Sequence, residues 1–297
     1  MRFASIDIGS NAVRLLLSNV IESKGKAVFK KAELVRVPLR LGEDAFIKKR
    51  ISKEKIQKLV SAMKAFKHLM DAFDSQKYRA CATSALREAV NAPYIIKKIW
   101  QEAKIKVEVI DGKTEADIIF SNHVAETLNK KYSYLYIDVG GGSTELTLFS
   151  KGKCIASHSF NIGTIRLLHK KVTKEYWDFF RAWISLETKN VRPLIAIGSG
   201  GNINKLFKMG EKKGNKPVSY KKLKVLAEKI ESYTFEERIK ILGLHVDRAD
   251  VIVPASKIVL SVMKTADIEE MLVPQIGLAD GLIHELYEEF KKKKRRK

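Results

Sequence analysis

The chain has 297 residues, 45% of them hydrophobic and 30% charged, which suits a soluble globular protein with room for two domains and excludes disorder and coiled coil. Its 56 Lys and Arg against 34 Asp and Glu leave a formal net charge of +22, a field that attracts polyanions such as nucleic acid, an anionic membrane surface or polyphosphate. Cys81 and Cys154 are too few for a disulfide framework or a thiolate zinc site, no apolar stretch reaches the roughly 20 residues of a membrane span, and Asp7 comes too early for a secretory signal, so a cytoplasmic location is expected.

Residues 2–8 and 13–20 read as strands around a first turn, with a further strand near 27–38, making an antiparallel start. A polar, cation-rich stretch follows. Ser52 then caps a long helix whose apolar stripe runs through Ile56, Leu59, Val60, Met63, Phe66, Leu69, Met70 and Phe73. Residues 78–82 form a short strand leading into TSALREA, a helix start with Thr83 or Ser84 as cap and Arg87 in its first turns. Pro93 begins another helix, VEVI is a strand, and Asp111-Gly112 breaks into a helix carrying Glu115.

The second half starts over with strands at 134–139, 144–149 and 153–160. Helices follow at 163–171 and 174–187, then a buried strand at 194–198 that SGGNINKLF turns into a helix. Gly210–Pro217 reads as a surface loop. Helices dominate the remainder, clearest at 248–264 and 281–290, with a short strand near 271–273 between them. The KKKKRRK run at 291–297 reads as a frayed basic tail, and Trp100, Trp177 and Trp183 fall at helical core positions.

One motif is written twice. DIGSNAVRLLL begins at Asp7 and DVGGGSTELTLF at Asp138, each a strand, a carboxylate, a glycine-bearing turn and a second strand. Glycine lets backbone N–H groups approach a ligand, and consecutive free N–H groups form an anion nest. A carboxylate beside such a nest would repel bare phosphate, so Asp7 and Asp138 make most sense holding a hydrated Mg²⁺. Ordinary hairpins would also use Asp and Gly for turn geometry. The three successive glycines of GGGSTE after a buried strand favour the functional reading, because they weaken a sheet unless the backbone is needed there.

DIGSNAVRLL, ATSALREAVNA, DGKTEAD, DVGGGSTE, NIGTIRLL, GSGGN, RADVIVPA and IGLADGLI occur in the order of the exopolyphosphatase/guanosine pentaphosphate phosphatase family, which the chain resembles from its first strand to about Leu286. The resemblance implies an α/β fold of two ribonuclease-H-like (actin-like ATPase) lobes, with mixed sheets flanked by helices and the active site in the interlobe cleft. The lobes are expected at 1–125 and 126–290, with 291–297 as the tail. It also implies metal-dependent hydrolysis of a terminal phosphoanhydride, with Mg²⁺ or Mn²⁺ at Asp7 and Asp138.

By the same resemblance Glu145 and Glu115 are the catalytic carboxylates. Gly9, Ser10, Asn11, Arg14, Arg87, Gly140, Gly141, Gly142, Ser143, Thr144, Gly200 and Gly201 are expected on phosphate. In the family, Asp111 is usually serine, Thr114 glutamate, Ala12 serine and Asn202 threonine, and Ala279 replaces a cation. Inorganic polyphosphate is the expected substrate, since +22 suits a long polyanion, and the pentaphosphate alarmone is the near alternative. A sugar or acid kinase and a non-catalytic polyanion binder are more distant readings. No sequence-specific nucleic acid and no membrane is expected as partner, and similar proteins suggest a homodimer through the C-terminal half.

Overall fold

A computed structural model describes residues 1–23, 26–120, 129, 131–210, 217–274 and 277–295. Its contacts divide the chain into two compact units, Met1–His123 with Gly277–Lys297, and Val124–Ile276.

In the first unit β1 (Arg2–Ile8), β2 (Ala12–Ser23) and β3 (Lys26–Pro38) run antiparallel in succession. β4 (Lys77–Ala82) pairs parallel on the other side of β1, and β5 (Val107–Val109) follows it, giving the order β3-β2-β1-β4-β5. Every residue of β1 after Arg2 is buried, as a central strand covered on both faces requires. The helices are α1 (Leu41–Lys48), α2 (Lys53–Ala72), α3 (Ser84–Glu88), α4 (Ala92–Ala103) and α5 (Gly112–Phe120). Ser52 caps α2 as expected, accepting the Lys55 N–H at 3.5 Å. The apolar stripe is buried from Ile56 to Phe66 and at Met70, whereas Leu69 is exposed. Helix α1 was not anticipated: the cation-rich stretch hides Leu41, Ala45 and Phe46, which are buried.

The second unit repeats the plan. β6 (Ser133–Val139), β7 (Thr144–Ser150) and β8 (Lys153–Phe160) are successive antiparallel strands, and β9 (Leu194–Ser199) pairs parallel with β6. With β10 (Val218–Ser219) and β11 (Glu270–Leu272) the order is β10-β11-β9-β6-β7-β8. The match extends to an irregularity in the outer hairpin of each sheet, between Leu17 and Ser18 in one and between Leu148 and Phe149 in the other.

Helices of this unit are α6 (Thr164–Leu168), α7 (Lys174–Thr188), α8 (Gly201–Gly210), α9 (Tyr220–Ser232), α10 (Phe235–Lys240), α11 (Val246–Ala249) and α12 (Ile252–Thr265). Leu135, Ile137, Leu146 and Leu148 of the sheet pack with Phe180 and Ile184 of α7 and with Ile258, Val259 and Val262 of α12. Trp177 and Trp183 lie against this core. Trp100 does not follow them: it is exposed on α4, with the Lys104 ammonium over its ring.

Two expected helices are shorter than the periodicity suggested. The one at 163–171 ends at Leu168, because Lys170 turns left-handed (φ 54) and the Lys171 N–H returns to the Arg166 carbonyl. The one at 248–264 is interrupted at Asp250–Val251. Pro254 has no N–H to give a preceding turn, so the chain restarts a helix in which Pro254 occupies the first turn at no cost. The expected loop at Gly210–Pro217 lies largely outside the described residues.

The last helix, α13 (Leu278–Arg295), belongs to the first unit, although the second lobe was expected to run to residue 290. Its Ala279, Ile283, Leu286 and Tyr287 bury against Phe3, Leu16 and Val20, each fully buried Ile, Leu, Val or Phe side chain contributing about 1.5–3 kcal/mol. The Ser5 hydroxyl donates to the Ala279 carbonyl at 2.6 Å, and the Tyr287 hydroxyl donates to Glu22 at 2.8 Å. Ala279, where a lost cation was suspected, therefore sits in an apolar contact. Tail residues 291–295 continue this helix, and 296–297 lie outside the described residues. Among the described residues, no helix is long and apolar enough to cross a membrane.

Candidate active site

In each unit the central hairpin closes with the same two-residue turn. The Gly9 N–H donates to the Ala12 carbonyl at 3.1 Å, and the Gly140 N–H donates to the Ser143 carbonyl at 2.9 Å. A Cβ at either glycine would stand 3.1 or 3.2 Å from that carbonyl, so the close approach uses the missing side chain.

What lies behind each turn decides what the turn presents. In the second unit the segment after β8 takes up three carbonyls in a row. The Thr164 N–H binds Gly140 O at 3.0 Å, the Ile165 N–H binds Gly141 O at 2.8 Å, and the buried Arg166 donates Nε–H to Gly142 O at 2.7 Å. Across a planar trans peptide the N–H points opposite to the carbonyl. The N–H groups of Gly141, Gly142 and Ser143 therefore all point away from residues 164–166, as consecutive donors of an anion nest do. Gly163 makes the contact close, because a Cβ there would lie 2.4 Å from the Gly141 oxygen.

The first unit has the same arrangement with fewer bonds. After β3, the Gly42 N–H binds Ser10 O at 2.8 Å and the Arg40 N–H binds Asn11 O at 2.9 Å. The N–H groups of Asn11 and Ala12 consequently face away from 40–42. Arg40, Gly42, Gly163 and Arg166 were not assigned roles from the sequence. The signal for them is the position of PLRLG and NIGTIR directly after the third strand of each repeat.

The side chains at the turns divide between ligand-ready and structural. Arg14 stands opposite Asp7 in the hairpin and its NH1 donates to Asp7 Oδ2 at 2.7 Å, so these two expected ligand contacts are bound to each other. The buried Ser10 and Ser84 hydroxyls are 2.8 Å apart. Thr144 is fully buried and donates to Ile162 O at 2.6 Å, bracing the turn rather than offering its hydroxyl to phosphate. Arg87 NH1 donates to Ile110 O at 3.0 Å, tying α3 to the start of α5, the helix that carries half-buried Glu115.

Asp111, in place of the expected serine, caps that helix by accepting the Thr114 N–H at 2.7 Å. This hydrogen bond holds the Asp111 carboxyl below its ordinary value, and the Arg87 charge adds to it. Cys81, the parallel neighbour of Asp7, is buried and its thiol is pushed up to about 12, chiefly by desolvation, so it is not a nucleophile.

The two repeats differ in charge at one place. Opposite Asp7 is Arg14, but opposite Asp138 is Glu145, which is 3% exposed and accepts the Ser159 hydroxyl at 2.9 Å. Gly200 closes over the same place with φ +100, a conformation suited to glycine, and a Cβ there would lie 3.1 Å from Asp138 Oδ1. Gly201 then opens α8. Among the described residues no group of three or more His, Cys, Asp or Glu forms a ready metal cage. Mg²⁺ needs less, since one or two carboxylates with waters and substrate phosphates complete its shell. Asp138 fits that requirement, and Asp7 forms an ion pair with Arg14 at 2.7 Å.

The profile of the Ppx/GppA phosphatase family matches residues 20–290. The chain is 36% identical over 171 residues to a bifunctional 3-dehydroquinate synthase/phosphatase of Fusobacterium nucleatum, covering 56% of this chain and 26% of that protein. It is 26% identical over 297 residues to a guanosine-5'-triphosphate,3'-diphosphate pyrophosphatase of Photobacterium profundum, covering 96% of this chain and 59% of that protein. The chain thus spans less than two thirds of the length of either relative. An exopolyphosphatase structure from Cytophaga hutchinsonii superposes with a TM-score of 0.85 at 25% identity, covering 97% of this chain and 98% of the other. The duplicated mixed sheets are those of the two-lobed actin-like fold of such proteins. With the family profile spanning the GGG turn, its brace and both glutamates, the chain belongs to the Ppx/GppA phosphatase family.

Proposed function

We propose that the protein is an exopolyphosphatase, releasing orthophosphate from the end of inorganic polyphosphate by in-line attack of water. The observation that carries this reading is the row of N–H groups at Gly141, Gly142 and Ser143, directed away from the backbone that holds their carbonyls. Such donors offset charge that develops on phosphoryl oxygens, and they need no reorganisation during reaction. Asp138 would hold Mg²⁺ or Mn²⁺, which would supply charge neutralisation on the transferred and leaving oxygens. Glu145 or Glu115 aligns the attacking water and accepts its proton. In the first unit the Asn11 and Ala12 N–H groups form a second, smaller set directed away from residues 40–42. A formal charge of +22 favours a long polyanion over a single nucleotide.

The pentaphosphate alarmone is the second reading, favoured by the name of the Photobacterium relative. It ends in the same kind of phosphoanhydride. Phosphate release from graded polyphosphates, the alarmone, and ATP with glucose, each with Mg²⁺ or chelator, separates the readings. Release from polyphosphate that chelator abolishes is the expected result. Glu145→Gln and Glu115→Gln should each lower kcat by about 10²–10⁴, the usual scale of general acid–base catalysis. Wild-type rates in both variants would overturn the site assignment, and release from the alarmone alone would transfer the proposal to the second reading.

A further inference from the structure

Behind the first turn lies a closed ring of charge that the proposed chemistry does not use. Arg40 is left-handed (φ 50, ψ 43) at the N-cap of α1, one of seven non-glycine residues with positive φ among the described residues. Its carbonyl accepts the Lys55 ammonium at 2.6 Å. Lys55 also donates to Glu43 Oε2 at 3.0 Å, and Glu43 Oε1 accepts Arg40 Nε–H at 2.6 Å, which closes the ring. The third Lys55 contact is an ion pair with Asp44 Oδ1 at 3.6 Å. Asp44 Oδ2 in turn accepts the Ser52 N–H at 2.9 Å, fixing the ring to the cap of α2.

Two of the ammonium's donors are hydrogen-bonded, to the Arg40 carbonyl and to Glu43, and the Asp44 carboxylate stands at ion-pair distance. Lys55 is 19% exposed at its side chain, so the ring is partly withdrawn from water. Burial alone would raise the Glu43 and Asp44 carboxyls, but the bonds from Lys55 and Arg40 to Glu43, and the bonds from Ser52 with the nearby Lys55 charge at Asp44, hold both below their ordinary values. The output of the ring is geometric. Arg40 and the neighbouring Gly42 give the N–H groups that bind Asn11 O and Ser10 O, and those bonds aim the Asn11 and Ala12 N–H groups. The second unit has a cation in the corresponding place, where Arg166 binds Gly142 O directly.

We infer that Lys55 is a positioning residue for anion binding: by clamping Arg40 in its left-handed conformation it presets the Ser10–Ala12 turn for phosphate. This rests on the polyphosphatase reading for the identity of the anion. Calorimetric titration of tripolyphosphate with Mg²⁺ into Glu115→Gln protein, with and without Lys55→Met, tests it, each protein's thermal midpoint being measured alongside. Lys55→Met should weaken Kd about tenfold in folded protein, and Lys55→Arg, which keeps the charge and the donors, should restore it to within about threefold. Should Lys55→Met not fold, Glu43→Gln opens the ring at another link and is expected to weaken Kd about threefold.

Equal Kd values in folded variants would overturn the inference, as would absence of tripolyphosphate binding in both the parent and the Lys55 variant. Failure of wild-type protein to release phosphate would remove the catalytic reading alone and leave the binding comparison standing.

Discussion

Gly163 shows how a single residue can control the site without touching substrate. Its Cβ position lies 2.4 Å from both the Gly141 oxygen and the Gly142 carbonyl carbon, and neither is the end of a flexible side chain that could yield. Gly163→Ala must move backbone, and the backbone in question is the nest. Stability should fall by about 1–3 kcal/mol, the range for overpacking, while phosphate release falls further than the loss of folded protein accounts for. Thermal melting beside kcat/KM checks this, and parallel losses would refute a specific role. The GGG run announced itself in sequence because three adjacent glycines are costly in a sheet. Gly163 did not, since its partner lies some twenty residues upstream and only folding brings the two together. Arg14 and Thr144 teach the converse: both were expected on phosphate from their place in a motif, yet Asp7 and Ile162 O respectively already engage them.

Among the elements, strands and the longer helices were legible because their apolar spacing repeats along one segment. Helix α1 was missed because its few core residues lie among charges, and its counterpart α6 was overextended because a left-handed lysine ends it. The last helix carries a testable division of labour. Residues up to Phe290 pack on β1 and the rest of that face, the Phe290 ring meeting Phe3 edge-on at 5.9 Å, whereas the lysines that follow are mostly exposed. A chain ending at Phe290 should keep its thermal midpoint within about 2 °C, a surface-scale change. One ending at Gly277 uncovers Phe3, Leu16 and Val20 and should lose cooperative melting of the first unit. Melting followed by circular dichroism distinguishes them, and similar midpoints for both chains would show that α13 is not part of that core.

For the whole molecule the relevant quantity is charge. Seven of the 56 cations form the 291–297 run, which leaves +15 of the +22 elsewhere in the chain, so attraction for a polyanion does not depend on the tail. Because binding a chain of phosphates releases condensed counterions, KM for long polyphosphate should rise steeply with salt, and KM for tripolyphosphate much less. Steady-state phosphate release between 50 and 200 mM salt measures this, with about a tenfold or larger rise expected for the long chain. Equal slopes would mean that only the terminal phosphates engage the protein. The duplicated strand–turn–strand plan, the antiparallel start of each half and the family motifs around the two glutamates are written in the order of residues along the chain, because they are properties of local pattern. Folding settles which turn carbonyls are occupied, and therefore which N–H groups face outward, and that Asp7 meets an arginine where Asp138 meets a glutamate. Those outcomes depend on hydrogen bonds and cross-strand registers between separate segments, which the periodicity of one segment does not record.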